Sequence, residues 1–196
     1  MKKFFKFLLD PINYSLYDLN KILSTSIHDN FKNFKPSYFT ILSLIMAIFC
    51  FYFIINYHFK TGAIFFMISH FFDTIDTYYG EKYKNITRFG YHLDFILDIL
   101  KYFIISNIIL FTKEISYKLR TSFAIYKILF GIFLLYNMGC KEKINNHTYT
   151  LPLRIYLGKI CYNDNLYKYT RFLNQGIFDL TIFLFLYNLN NFIYNV

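Results

Sequence analysis

Between residues 14 and 33 apolar and polar positions alternate at helical spacing. Leu16, Leu19, Ile22, Leu23 and Ile27 share one face, and Asp18, Lys21 and Asp29 lie elsewhere. This spacing predicts an amphipathic helix, either lying in a membrane interface or packed on a bundle. Past Pro36, a residue tolerated in a first helical turn, the pattern turns into long apolar runs. Residues 37–59 hold no acidic or basic side chain before His58, and about 20 such residues cross a hydrocarbon core. After a break at Lys60-Thr61-Gly62, residues 63–79 form a second run, 91–111 a third, 122–139 a fourth and 177–194 a last one. The stretch 80–90 reads as a polar loop. Within the polar stretch 141–174, residues 151–162 read either as a short or broken span or as a surface loop. The expected fold is all-α: a polytopic membrane helix bundle of five to six transmembrane helices with an N-terminal interfacial amphipathic helix. The expected division is a basic segment, 1–36, and a transmembrane domain, 37–196.

Composition supports a membrane setting. The chain is 56% hydrophobic and 17% charged, with a mean hydropathy of +0.31, whereas soluble domains carry about 25% charged residues. The abundance of Phe, Ile, Tyr, Asn and Lys also fits an AT-rich genome. The net charge of +9 would point a soluble protein toward nucleic acid. With these apolar runs, anionic lipid headgroups are the expected partner and nucleic acid is not. The opening MKKFFKFLLDPINY is too short in its apolar part for a signal peptide. It is ended by Asp10-Pro11 and has no small-residue cleavage site, so it reads as a mature basic segment on the membrane surface. Cys50, Cys140 and Cys161 are odd in number and not in ligand spacing, so no disulfide is expected.

Lys and Arg set orientation. Lys2, Lys3, Lys6, Lys21, Lys32 and Lys35 precede the first run. Lys82, Lys84 and Arg88 follow the second. Lys141, Lys143, Arg154, Lys159, Lys168 and Arg171 follow the fourth. Threading in and out puts all three groups on one side, the cytoplasmic side, together with the N-terminus. Lys113, Lys118 and Arg120 run against that bias.

Four aspartates interrupt the apolar runs. Asp73 and Asp76 are three apart and Asp94 and Asp98 are four apart. On a helix both spacings put side chains on one face, and two runs joined by a short loop can turn their acidic faces toward each other. Carboxylates converging there need positive charge among them. An all-oxygen set suits Mg²⁺, Mn²⁺ or Ca²⁺ rather than zinc. Such ions offset charge on a phosphoryl group in transit, and a carboxylate left partly free can act as a base toward an alcohol. Ionisable groups in spans mark functional sites by default, and spacing alone leaves both a metal enzyme and an ion pathway open. An ion carrier would need polar residues spread along the spans, whereas here they cluster at one end. His70 and His92 read as packing or interface residues. Lys101 either binds an acceptor phosphate or snorkels to the surface. Asp179 is expected to pair with a Lys or Arg of the segment before it.

The chain reads Asp73-x2-Asp76-Thr77-x2-Gly80-Glu81-x8-Gly90-x3-Asp94-x3-Asp98. This resembles the signature of the CDP-alcohol phosphatidyltransferases, Asp-x2-Asp-Gly-x2-Ala-Arg-x8-Gly-x3-Asp-x3-Asp, with every spacing kept. TRFGYHLDFILD and the entry KPSYFTILSLIMAIF are also similar to that family, and the resemblance is good over residues 35–110. It implies a six-helix membrane fold, a homodimer, and a site open to the cytoplasm and the interface. It implies transfer of a phosphate-bearing group from a CDP-linked donor to an alcohol, with release of CMP.

By carry-over, Asp73, Asp76 and Asp94 hold two divalent ions, Mg²⁺ or Mn²⁺. Asp98 is the base that activates the acceptor hydroxyl and also a ligand. Ser37, Thr77, Gly80, Glu81, Thr87 and Gly90 stand at positions facing the donor. The expected donor is CDP-diacylglycerol. A CDP-choline or CDP-ethanolamine donor shares the signature, and the acceptor alcohol stays open. The family's Gly is Thr77 here, its Ala is Gly80 and its Arg is Glu81. Thr77 crowds the cytidine and Glu81 adds repulsion near a diphosphate. A relative that binds metal or lipid without turnover is therefore the alternative.

Overall fold

A computed structural model of the chain describes residues 11–31, 34–83, 88–145, 159, 161 and 175–194. Those residues form six helices and no strands: α1 (Pro11–Asn30), α2 (Ser37–Ile55), α3 (Phe59–Tyr83), α4 (Arg88–Phe111), α5 (Tyr117–Asn145) and α6 (Gln175–Tyr194). The first ten residues and most of the ambiguous stretch 151–162 lie outside them.

α2 begins at Ser37 directly after Pro36, as the sequence predicts. It ends where Tyr57 takes a φ of 62°, a left-handed conformation uncommon for a side chain other than glycine. The amides of Asn56, Tyr57 and His58 turn back onto the carbonyls of Tyr52, Ile54 and Phe53. The turn is therefore closed within three residues and α3 starts at Phe59. The break lies at Asn56–His58 and not at Lys60–Gly62, which is helical. Gly62 serves close packing: a Cβ there would stand 2.7 Å from Ile54 Cγ1 and 3.3 Å from the Cys50 carbonyl. The expected loop 80–90 is also mostly helix. α3 runs on to Tyr83, with Gly80 buried, and α4 has begun by Arg88.

α3 is the central element, packed on α1, α2 and α6, while α4 packs on α2 and α5. Two apolar clusters lie at different heights. One joins Cys50, Ile54, Phe59, Ala63, Phe66, Ile105, Ile109, Phe130, Ile182 and Leu186. The other is Phe39, Ile75 and Tyr79 with Leu23, Ile27 and Phe34 against them. Between them runs a buried polar layer of Thr40, Ser43, Ser69, His70, Asp73, Asp76, Lys101 and Asp179.

Among the described residues two helices, Ser37–Ile55 and Tyr117–Asn137, are long and apolar enough to cross a bilayer, and only 33% and 11% of their most apolar 18-residue stretches are buried inside the protein. A soluble core helix would be mostly covered. Here Ile41, Ile45, Ile48, Phe49 and Tyr52 of α2 and Ile125, Ile128, Leu129 and Ile132 of α5 face outward, as lipid contact requires. α3 and α4 match these helices in length, but the aspartates and Lys101 interrupt their apolar runs.

α1 divides its apolar residues. Leu23 and Ile27 pack on the bundle, whereas Leu19 and Ile22 are exposed. Buried Asn20 donates to Thr74 Oγ1 at 3.2 Å, and the His28 ring stacks on Tyr83 with centroids 3.7 Å apart. Lys82 Nζ donates to Thr25 Oγ1 at 2.7 Å. The helix is thus clamped along the last turns of α3.

Cys140 and Cys161 form a disulfide, contrary to the sequence expectation, and Cys50 is free and buried. Linear spacing carried no sign of it, because the chain returns to the end of α5 only after 21 residues. There Lys143 Nζ also donates to the Cys161 carbonyl at 3.2 Å.

Gly62→Ala is expected to destabilise the bundle by about 1–3 kcal/mol through overpacking. The measurement is thermal unfolding in detergent. Gly131→Ala, where an added Cβ meets nothing within 4 Å, should show no loss.

Candidate active site

Asp73 lies more than two turns and Asp76 about two turns before α3 ends, so they sit inside the bundle rather than at a frayed terminus. Both are buried, at 7% and 9% exposure. Their spacing of three puts them on one flank of α3, yet they find different partners. Asp76 accepts a hydrogen bond from Thr40 Oγ1 of α2. Asp73 faces α4, where Lys101 Nζ stands 3.5 Å from its Oδ1.

Lys101 is one turn beyond Asp98 and pairs with Asp98 Oδ1 at 2.7 Å. It also donates to Ser43 Oγ of α2 at 3.3 Å. Ser43 Oγ is 3.1 Å from Ser69 Oγ, whose hydroxyl also donates to the Ser43 carbonyl at 2.8 Å. Of the two carboxylates on Lys101, Asp98 is the more open, with 17% of its side chain exposed against 10% for Asp73.

A second polar group lies beside this one. Asp179 of α6 is fully buried. Its Oδ2 is 2.7 Å from His70 Nδ1, and its Oδ1 accepts from the Tyr102 hydroxyl at 2.6 Å. These bonds tie α6 to α3 and α4. Arg154, Lys168 and Arg171 of the segment before α6, among the partners expected for Asp179, lie outside the described residues; within those residues its partners are His70 and Tyr102. His70 is therefore more than a packing residue. His70 Nε2 is buried with no hydrogen-bond partner among the described residues.

The structure brings Asp73 and Asp98 to one point and places Asp76 beside it on α3, bonded to Thr40 of α2. Asp94 lies one turn before Asp98 on α4, but its side chain is outside the described residues, as are those of Glu81 and His92 and all of Thr87. Gly90 is in the first turn of α4 and Ser37 opens α2. Thr77 is exposed next to Asp76, with its hydroxyl folded back onto the Asp73 carbonyl at 3.3 Å. Lys101 neither snorkels nor faces solvent: it is 7% exposed. Ser43 and Ser69 were not singled out from the sequence. Their only signal there was a hydroxyl in each of two apolar runs.

Among the described residues no three His, Cys, Asp or Glu side chains form a metal-binding group. The donor chemistry present is nonetheless that of a hard cation: carboxylate and hydroxyl oxygens in a layer walled by apolar side chains. It fits Mg²⁺ or Mn²⁺ and not a soft metal.

The sequence profile of the CDP-alcohol phosphatidyltransferase family matches residues 34–157, more than half of the chain and all four aspartates. The chain belongs to that family. No curated protein and no solved structure matches it.

Asp179→Ala should destabilise the bundle by about 3 kcal/mol, because the buried imidazole and phenol lose their common acceptor. Thermal unfolding in detergent measures this, and Asp179→Asn, which keeps one acceptor oxygen, should fall between the two.

Proposed function

We propose that this protein is an integral membrane phosphatidyltransferase of phospholipid synthesis. It moves a phosphatidyl group from CDP-diacylglycerol to an alcohol and releases CMP. The observation that carries this reading is the meeting of Asp73 and Asp98, from two different helices, at signature positions of a family to which the chain belongs.

In this reading Asp73, Asp76, Asp94 and Asp98 hold Mg²⁺ or Mn²⁺, which when bound offsets charge on the diphosphate. The chain's own residues do the rest. Asp98, the more open of the two paired carboxylates, takes the proton from the acceptor hydroxyl. The hydroxyl oxygen forms a bond to the phosphorus that carries diacylglycerol. The bond from that phosphorus to the CMP oxygen breaks, and CMP leaves with the electron pair. The apolar clusters on either side of the polar layer keep bulk water from competing as acceptor. Ser37, Thr77, Gly80, Glu81, Thr87 and Gly90 line the approach of the cytidine and diphosphate, and the working unit is a homodimer in the lipid bilayer.

Membranes containing the protein, given CDP-diacylglycerol, Mn²⁺ and a panel of alcohols, are expected to release CMP with one of them. Asp98→Asn should reduce that release at least a hundredfold, the low end of a general-base contribution. CDP-choline and CDP-ethanolamine in the same assay separate the phosphotransferase variant of the reaction. A second reading, a metal- or lipid-binding relative without turnover, is favoured by Thr77 and Glu81. It predicts no CMP from any donor until Thr77→Gly and Glu81→Arg are combined.

The Lys and Arg distribution supports a cytoplasmic N-terminus and site. The Cys140–Cys161 bond supports the opposite face, because disulfides persist in oxidising compartments. Threading places the α5 end that bears Cys140 on the same face as the α3–α4 connection. With the site cytoplasmic, an impermeant maleimide added to sealed vesicles with the cytoplasmic side inward labels Lys113→Cys. Labelling only after lysis would assign the site to the oxidising side.

A further inference from the structure

Lys101 occupies a position built for a cation. Its ammonium has three N–H donors, and three oxygens from three helices stand around it: Ser43 Oγ of α2 at 3.3 Å, Asp73 Oδ1 of α3 at 3.5 Å and Asp98 Oδ1 of α4 at 2.7 Å. The side chain is 7% exposed. A lysine so deep is tolerated only when paired and hydrogen-bonded, and here it is ion-paired with Asp98 and hydrogen-bonded to Ser43 and Asp73. Placement one turn from Asp98 means that the helix itself delivers the charge, with no motion of the chain required. Asp76, the remaining described aspartate of the signature, turns away to Thr40. The two carboxylates that would share an ion between α3 and α4 therefore already share an ammonium.

We propose that Lys101 takes the place of one of the two metal ions, so that the aspartates of this chain bind a single divalent ion. The inference rests on the reading that these aspartates bind divalent metal at all. Mg²⁺ and Mn²⁺ seek close to six oxygens around them. Asp73 and Asp98 cannot supply theirs to a second ion without bringing it against the Lys101 charge.

The test is Mn²⁺ binding to the purified full-length protein in detergent, with free Mn²⁺ followed by its electron paramagnetic resonance signal. One Mn²⁺ per chain is expected for the natural protein and two for Lys101→Met, which keeps the bulk and removes the charge. Lys101→Arg, which keeps the charge, should bind one, and it guards against a Lys101→Met protein that does not fold. Two ions in the natural protein, or one in a folded Lys101→Met, would overturn the proposal while leaving the metal reading intact. Absence of binding in all three forms would remove the metal reading and the proposal with it.

Discussion

The structure depends on the ammonium of Lys101 lying between Asp73 and Asp98. Helices α3 and α4 carry the acidic residues, yet α4 packs chiefly on α2 and α5 and α3 on α1, α2 and α6. What joins the two acidic faces is this shared cation, seated on a serine of α2. Removing two carboxylates from water is costly unless the charge is matched. The polar layer matches it with a lysine for one pair, a threonine hydroxyl for Asp76, and a histidine and a tyrosine for Asp179. These partners come from α2, α3 and α4, and most of the bonds cross from one helix to another, so meeting the electrostatic demand also fixes how the helices assemble.

The apolar parts of the bundle are built around that layer. Below it, Gly62 allows α3 to press on the last turns of α2, and the closed turn at Tyr57 sets their antiparallel arrangement. Above it, α1 covers the end of α3 through Asn20, His28 and the contact of Thr25 with Lys82. The layer is thus closed off along α3, while Asp98 keeps partial exposure. The proposed transfer to an alcohol would draw on that combination: charge held in a dry setting, with one carboxylate partly open.

Much of this was legible in the sequence. The apolar runs placed α2, α4 and α6 within a few residues and the middle of α5, because a long unbroken apolar stretch has few other solutions. The aspartate spacings pointed to the polar layer in which Asp73, Asp76 and Asp98 lie, because i,i+3 and i,i+4 positions share a face whatever the bundle does. What the sequence did not reveal depends on contacts between distant segments. Asp179 meets His70 because α6 returns to α3, and no local pattern encodes that. Lys101 looked able to snorkel until Ser43 and Asp73 were seen around it. Gly62 looked like a break because a glycine that serves close packing and one that ends a helix read alike. The Cys140–Cys161 pair was hidden for the same reason, since pairing follows the path of the chain and not residue counts.

The most direct measurement of the account is a double-mutant cycle between Asp98 and Lys101, read as thermal stability in detergent. If the shared ammonium holds α3 and α4 together, Asp98→Asn should destabilise the natural protein. In a Lys101→Met background the same change should cost nothing or be stabilising, because it then removes a buried charge that has lost its partner. An equal loss in both backgrounds would contradict the account, since Asp98 and Lys101 would then act independently.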